Sequence, residues 1–481
     1  MINTDKATIY RIHSAQQEFF ATRATYDIKF RKAMLKKLYA ALIKWEKPLS
    51  EALYKDLHKS YEEAYLTELS IVLGEIKNHI KNVKSWSKKI YIKTPLKMFP
   101  SSTYQVQEPL GNSLIIAPWN YPVQLLLNPL VGAISAGCTA ILKPSPYVET
   151  VSTVLEQMIK ETFDENYIAI VQGNREVNGQ LLELKFDTIF FTGSPSLGRT
   201  VMTAAAKNLT PVVLELGGKS PCIIDETANI ELAARRISWG KTLNSGQTCI
   251  APDYVLIHKS QTEEFVKRFK ANLTNMHSEN VQNSAHYVRM VNTKEFNRVS
   301  SYLKDGEILL GGRTDEQERF IEPTLLKVTD FNSPVMNNEI FGPILPIIEF
   351  EDKKEALDFV NQRPKPLAFY YFGEKKNGWE AIKRSTSGGA CLNDTIMHIA
   401  NENSPFGGVG NSGLGSYHGK ESFTAFSHKR TVVYTPTWVD VPFRYMPYTL
   451  LKYIKFDWRN PAADWPSLTP TAVPSSGTTM K

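Results

Sequence analysis

The chain has little cysteine, no long apolar run and no zinc-finger or RNA-binding signature. Its four cysteines are Cys138, Cys222, Cys249 and Cys391, none in a CxxC pair. That spacing does not suggest a disulfide framework and fits a reducing compartment. No apolar stretch reaches the ~18 residues that a membrane-spanning helix needs, so none is expected. The start, residues 1–6, is polar and lacks the apolar core of a signal peptide, which leads us to expect the cytoplasm. No spacing suggests a metal centre.

What is present is ordinary globular protein. Hydrophobic residues make up 42% and charged residues 22% of 481. At roughly 100–200 residues per domain this length suggests two to four domains and a large core. The net charge is +7, concentrated in residues 29–47 and 77–97. Such a surface attracts anionic lipid or nucleic acid, or is simply a solvated helix face. We favour the solvated face, because nothing else in the chain supports nucleic acid.

The first hundred residues read as helices. Leu35, Leu38, Leu42 and Trp45 recur at helical spacing until Pro48 interrupts. A second stripe runs through Leu69, Val72, Leu73, Ile76, Ile80 and Val83. From about residue 114 short apolar runs (114–117, 140–142, 168–171, 188–191, 212–214) alternate with helix patterns near 123–135, 151–162 and 197–207. That alternation predicts βαβ units in a parallel, doubly wound α/β sheet. Such sheets bind ligands beyond their carboxyl ends. A second α/β region spans about 217–408, with strands expected at 254–257 and 344–348. Segments 102–107 and 431–435 are β-prone and suit a paired arm. Residues from about 460 are rich in Pro, Ser, Thr and Ala, and disorder is expected there.

Four motifs carry chemistry. In Asn244-Ser-Gly-Gln-Thr-Cys249-Ile-Ala-Pro a cysteine sits among turn formers, where a thiolate can attack a carbonyl carbon. Taken alone, such a cysteine is more often an inert core residue. In Leu214-Glu215-Leu-Gly217-Gly-Lys-Ser-Pro a carboxylate ends an apolar strand; it reads as a general base with a raised pKa, or as a structural ion pair. In Ala117-Pro-Trp119-Asn120-Tyr-Pro two prolines fix an amide that could serve an oxyanion, although Asn beside Pro is also common turn chemistry. Phe190-Phe191-Thr-Gly193-Ser194-Pro-Ser-Leu197-Gly runs from strand to helix start, a place for a phosphate. Its spacing is G-x4-G, so the ordinary dinucleotide fingerprint is absent.

The ordered set of motifs resembles the aldehyde dehydrogenase superfamily from about residue 15 to 450. Further matches are Lys143-Pro-Ser, Glu339-Ile-Phe341-Gly-Pro and Pro405-Phe-Gly-Gly. Cys249-Ile-Ala-Pro-Asp-Tyr254, Arg363-Pro-Lys-Pro366, 393–398 (Asn-Asp-Thr-Ile-Met-His) and 413–420 (Gly-Leu-Gly-Ser-Tyr-His-Gly-Lys) resemble the class 3 branch. The resemblance implies two α/β lobes and a small β oligomerisation arm. A Rossmann-like dinucleotide-binding domain would occupy 1–101 and 108–215, a catalytic domain 216–425, and the arm 102–107 and 426–445.

It further implies Cys249 as nucleophile, Glu215 as general base, and Asn120 with the Cys249 backbone N–H at the oxyanion. Lys143 would reach the adenosine ribose and Gly193 and Ser194 the pyrophosphate. Glu339 would hold the nicotinamide ribose, with Phe341 beside the nicotinamide. Trp119, Phe191, Leu197 and Gly217 would line the cofactor cleft. The reaction implied is NAD(P)-dependent oxidation of a medium- or long-chain aliphatic or aromatic aldehyde, through a thiohemiacetal and a thioester on Cys249, by a homodimer. The other three cysteines fit no step and are expected to be structural.

Two departures matter. Many relatives carry a glutamate where Pro146 stands, and its absence suggests that NADP is accepted, alone or alongside NAD. Residues 448–458 are too short and polar for the membrane tail of some class 3 relatives, and only peripheral membrane contact stays open. The rival readings are an acylating, coenzyme-A-dependent dehydrogenase, a non-enzymatic binding protein on the same fold, and an esterase using Cys249. Glu215 in its full motif argues against the first, and retention of Cys249, Glu215 and Asn120 against the second.

Overall fold

The computed structural model describes residues 2–440 and 444–446. The tail from about 460 and the segment 448–458 lie outside the described residues. Most of the chain, Met1–Lys89 with Val106–Arg430, forms one compact unit. It contains two largely parallel sheets.

The first sheet has six strands in the order Gly413–Leu414, Val212–Leu216, Thr188–Gly193, Asn112–Ile116, Thr139–Lys143, Ile168–Ile170. All pair in parallel except the edge strand Gly413–Leu414, which is antiparallel to Val212–Leu216. The period-two pattern is visible in the packing. Leu114, Ile116, Ile189, Phe191, Leu214 and Leu216 face Ile9, Ile12, Val177, Leu181 and Val201. Ile115, Leu142 and Phe190 face the opposite way, onto Leu126, Leu130, Leu155 and Ile159. Helices therefore cover both faces, as a parallel sheet requires.

Chain order reverses between Asn112–Ile116 and Thr188–Gly193: later strands add on one side of the first and then on the other. A crevice opens where the two connections diverge. The segments leaving these strands are those of Asn120 and Ser194.

The second sheet has seven strands in the order Glu307–Leu310, Thr324–Lys327, Ile344–Phe350, Tyr254–His258, Pro221–Ile224, Ala368–Phe372, Gly389–Leu392. Only the Glu307–Leu310 edge is antiparallel. Residues 217–220 connect the carboxyl end of Val212–Leu216 to the amino end of Pro221–Ile224. Cys249 and Glu339 likewise precede Tyr254–His258 and Ile344–Phe350. Segments at the carboxyl ends of one sheet thus meet segments at the amino ends of the other.

Some expectations change in detail. Pro48 does not end the helical region; helix Ile28–Lys44 is followed directly by Glu46–Leu57, with Pro48 in its first turn. A first-turn N–H has no helical acceptor, so proline costs nothing there. Gly413–Leu414, expected in the catalytic part, instead extends the first sheet. Cys391 lies in a strand but is half-buried, with its Sγ 3.4 Å from His398 Nδ1.

The remaining unit, Ile90–Gln105 with the chain after Arg430, contributes to a three-stranded sheet in the order Ile90–Ile92, Ser102–Pro109, Ser427–Tyr434. Among the described residues no helix is long and apolar enough to cross a membrane, and no cluster of three His, Cys, Asp or Glu could hold a metal.

Leu142 is fully buried in a central strand of the first sheet. Leu142→Ala is expected to lower unfolding stability by about 2–5 kcal/mol, read as a shift in denaturant midpoint.

Candidate active site

Cys249 follows a tightly wound loop. Helix Ile230–Thr242 ends, and Asn244 and Ser245 take left-handed backbone at φ 50° and 54°, followed by Gly246 at 72°. Asparagine tolerates this region better than most residues, and glycine freely. Gly246 is needed for a second reason: a Cβ there would lie 2.3 Å from the Gly342 carbonyl oxygen. The Gln247 side chain anchors the loop, donating to the Asn244 and Arg289 carbonyls (both 3.1 Å) and accepting from the Val291 N–H (3.0 Å).

A cavity of about 320 Å³ forms beside this loop. It brings together Trp119, Asn120, Gly193, Ser194, Glu215, Gly217, Cys249, Glu339 and Phe341. Three expected residues do not line it. Phe191 backs it, packing where a Cβ on Gly193 would fall, 2.6 Å from the ring. Lys143 is buried one strand away, its Nζ donating to the Pro144 carbonyl at 2.7 Å, and burial pushes its pKa down to about 8. Leu197 is exposed on the first turn of helix Pro195–Ala206.

The cavity is poor in compensating charge. Glu215 is buried and neither carboxylate oxygen has a hydrogen-bond partner. Desolvation therefore pushes its pKa well above the usual carboxylate range. The Cys249 thiol is pushed up by burial first, then by the Glu339 and Glu215 carboxylates; the N–H groups of Cys249 and Ile250 act the other way. The Asn120 amide donates to the Gln247 carbonyl at 3.0 Å, and Tyr121 Oη bonds Thr248 Oγ1 at 2.6 Å.

Glu339 is placed by a second set of contacts. Lys219 pairs with Asp253, whose other oxygen accepts the Ile340 N–H at 2.9 Å. Arg298 donates to the Glu339 and Ile340 carbonyls at 3.3 and 3.0 Å. Burial, with the Asp253 charge, raises the Glu339 pKa to about 8. Phe341 sits at φ 49°, a strained angle for a bulky residue, and packs edge-on to Trp119 at 5.3 Å. The absence of a side chain at Gly217 makes room for Glu339, since a Cβ there would lie 2.0 Å from Oε2.

Family membership follows from a broader comparison. The aldehyde dehydrogenase family model matches residues 2–432. This chain belongs to the aldehyde dehydrogenase family, enzymes that are oxidoreductases acting on aldehydes and using a nicotinamide dinucleotide. It is 47% identical to the 4,4'-diaponeurosporen-aldehyde dehydrogenase of Staphylococcus aureus (strain NCTC 8325 / PS 47), covering 92% of this chain and 97% of that one. Against human aldehyde dehydrogenase family 3 member B1 it is 43% identical, covering 86% and 89%. The solved substrate-bound state of Staphylococcus aureus AldH superposes with a TM-score of 0.91 at 46% identity, covering 93% and 98%.

Sequence reasoning missed Lys59, Glu68, Asn244, Gln247, Asp253 and Arg298 as contributors around the cavity. Arg298 carries no local signature, whereas Asp253 stood in the quoted Cys249–Tyr254 motif without a role. Asn244 and Gln247 stood in the quoted cysteine motif, and the run Asn-Ser-Gly was the available clue to left-handed backbone.

Gly217→Ala is expected to displace Glu339 and raise the cofactor KM about tenfold, ~1.4 kcal/mol, with little change in thermal stability. Steady-state kinetics with varied cofactor, beside a melting curve, checks it.

Proposed function

We propose that this dehydrogenase oxidises an apolar aldehyde, medium- or long-chain aliphatic or aromatic, to the carboxylic acid, with Cys249 as nucleophile. The observation that carries this reading is one cavity holding the Cys249 thiol, the unpartnered Glu215 carboxyl and the Asn120 amide. Most of its exposed wall is apolar, with Ile71, Leu125, Leu243, Ile396, Ile399 and Phe406, while Glu295 and Arg298 also line it. The Staphylococcus aureus relative is named for 4,4'-diaponeurosporen-aldehyde, and only the aldehyde class is carried over.

As Sγ of Cys249 bonds to the carbonyl carbon, its proton passes to solvent water and the carbonyl π pair moves onto the oxygen. The Asn120 amide has a second N–H beyond the one given to Gln247. With the Cys249 backbone N–H it meets the negative charge that grows on the carbonyl oxygen. The dinucleotide, when bound, accepts the hydride. The thioester left on Cys249 is cleaved by water, and Glu215, in its ionised form, takes the proton from that water.

The residues around the cavity suit a dinucleotide. Gly193 and Gly217 present bare backbone, and Thr192 Oγ1 is buried without a partner. Ser194 caps helix Pro195–Ala206, whose first-turn N–H groups suit a phosphate. We assign Gly193 and Ser194 to the pyrophosphate, Lys143 to the adenosine ribose, Glu339 to the nicotinamide ribose and Phe341 to the nicotinamide side. No carboxylate stands at Pro146 to repel a 2′-phosphate, so NADP is accepted as well as NAD. The edge strand Ser427–Tyr434 exposes Val432, Val433 and Tyr434, which supports a homodimer formed through this arm. The four free cysteines support a reducing, cytoplasmic setting.

Purified protein with a panel of aldehydes is expected to raise absorbance at 340 nm with NAD or NADP, and Cys249→Ala to abolish it. Acyl-coenzyme A formed only on adding coenzyme A would replace this reading with the acylating one. A preference for NAD over NADP of about a hundredfold or more in kcat/KM, ~2.7 kcal/mol, would refute the cofactor assignment. Asn120→Ala is expected to lower kcat by about 10²–10³.

The pH dependence has a definite sign. Glu215 works ionised and its pKa is raised, so thioester hydrolysis increases as pH climbs through that raised value. Glu215→Gln is expected to lose this rising limb, seen in kcat–pH profiles beside the wild type.

A further inference from the structure

Lys59 and Glu68 form an ion pair at 2.8 Å with both side chains fully buried. Burying two charges is a poor route to stability, because desolvation offsets much of their attraction. What distinguishes this pair is where its remaining hydrogen-bonding capacity goes. Lys59 Nζ also donates to the backbone carbonyl of Asn120 at 3.3 Å and lies 4.3 Å from the centre of the Tyr121 ring. Glu68 Oε2 accepts the N–H groups of Val123 and Gln124 at 2.9 and 3.0 Å. These contacts grip the turn carrying Asn120 from both sides, and Glu68 also satisfies free N–H groups at the start of helix Gln124–Ala136.

The same turn is tied to the cysteine loop. Asn244 Nδ2 donates to the carbonyls of Asn120 and Gln247, both at 3.0 Å, and Asn120 Nδ2 donates to that same Gln247 carbonyl. The Asn244 N–H in turn donates to Glu63 Oε1 at 2.8 Å, from the helix just after Lys59. One largely buried polar network, reaching the surface at Glu63, therefore holds the Asn120 turn and the Cys249 loop in a single register. Buried networks of this kind restrict geometry; here only Asn244 Oδ1 among the linking groups is left without a partner.

We propose that Lys59 and Glu68 are positioning residues for the oxidation: through the Asn120 backbone they keep its amide aimed at the carbonyl oxygen bound at Cys249. This rests on reading Asn120 as the oxyanion donor. The pair touches neither substrate nor cofactor and acts only through that turn.

Removing one charge alone would strand the other, so the test uses the paired variant Lys59→Met/Glu68→Gln, alone and combined with Asn120→Ala. The paired variant is expected to bind NAD with unchanged Kd by fluorescence titration and to keep its aldehyde KM within about twofold, while kcat falls about 10–100-fold. In the Asn120→Ala background the same pair is expected to cost no further activity, since its route is already cut. Asn244→Gly keeps the left-handed backbone and removes only the linking amide, so it tests the network without disturbing the ion pair. It is expected to lower kcat in the same non-additive way. Wild-type kcat in both the paired variant and Asn244→Gly would overturn the proposal, as would an equal loss with and without Asn120. Full activity in Asn120→Ala alone would instead overturn the reading of Asn120.

Discussion

Glu215 and Cys249 are held in a cavity that offers them almost no compensating partner, and the remaining architecture serves that arrangement. Desolvation favours the neutral form of both groups. The raised carboxyl is what the general-base role proposed for Glu215 calls for. An open cleft would ionise Glu215 and fill with water; a fully sealed one would admit no aldehyde. The apolar wall through Ile71, Leu243, Ile396 and Ile399 lies between those limits.

Keeping so poor a polar environment in a defined shape requires polar contacts elsewhere. They lie immediately behind the cavity wall and end on backbone atoms. Lys219 and Asp253 hold the Ile340 N–H, Arg298 holds two carbonyls beside it, and Gln247 holds the cysteine loop at three points. Lys59, Glu68 and Asn244 do the same for Asn120. Side chain bonded to backbone fixes the path of a loop, leaving the reactive side chains free to face the cavity. Close backbone approaches at Gly217 and Gly246 complete the arrangement, since any Cβ there would collide with Glu339 or Gly342.

The location of the cavity follows from topology. In the first sheet the direction of strand addition reverses beside Asn112–Ile116, and this opens a crevice at the carboxyl ends. The second sheet meets that crevice with its amino ends. One lobe thus brings Asn120, Ser194 and Glu215, and the other brings Cys249 and Glu339. No G-x-G-x-x-G fingerprint follows the first strand, Asn112–Ile116; Gly193 and the capped helix after it follow the neighbouring strand across the switch point.

Local chemistry was legible from residues alone wherever one segment carries a whole signal. Short apolar runs became strands within a residue or two, because a strand covered on both faces is apolar at nearly every position. Glu215 at a strand end, Asn120 between prolines and Cys249 after Asn-Ser-Gly could be named, since turn chemistry is local too. Tertiary structure alone decided which of these share a cavity. Lys143, Phe191 and Leu197 fall outside its lining, while Arg298 and the Lys59–Glu68 pair, unremarkable by spacing, fall around it. Pro48 shows the same limit: a proline breaks a helix or begins one according to its neighbours' hydrogen bonds. Desolvation and long-range hydrogen bonding depend on what the rest of the chain packs against a residue, and no window of sequence contains that.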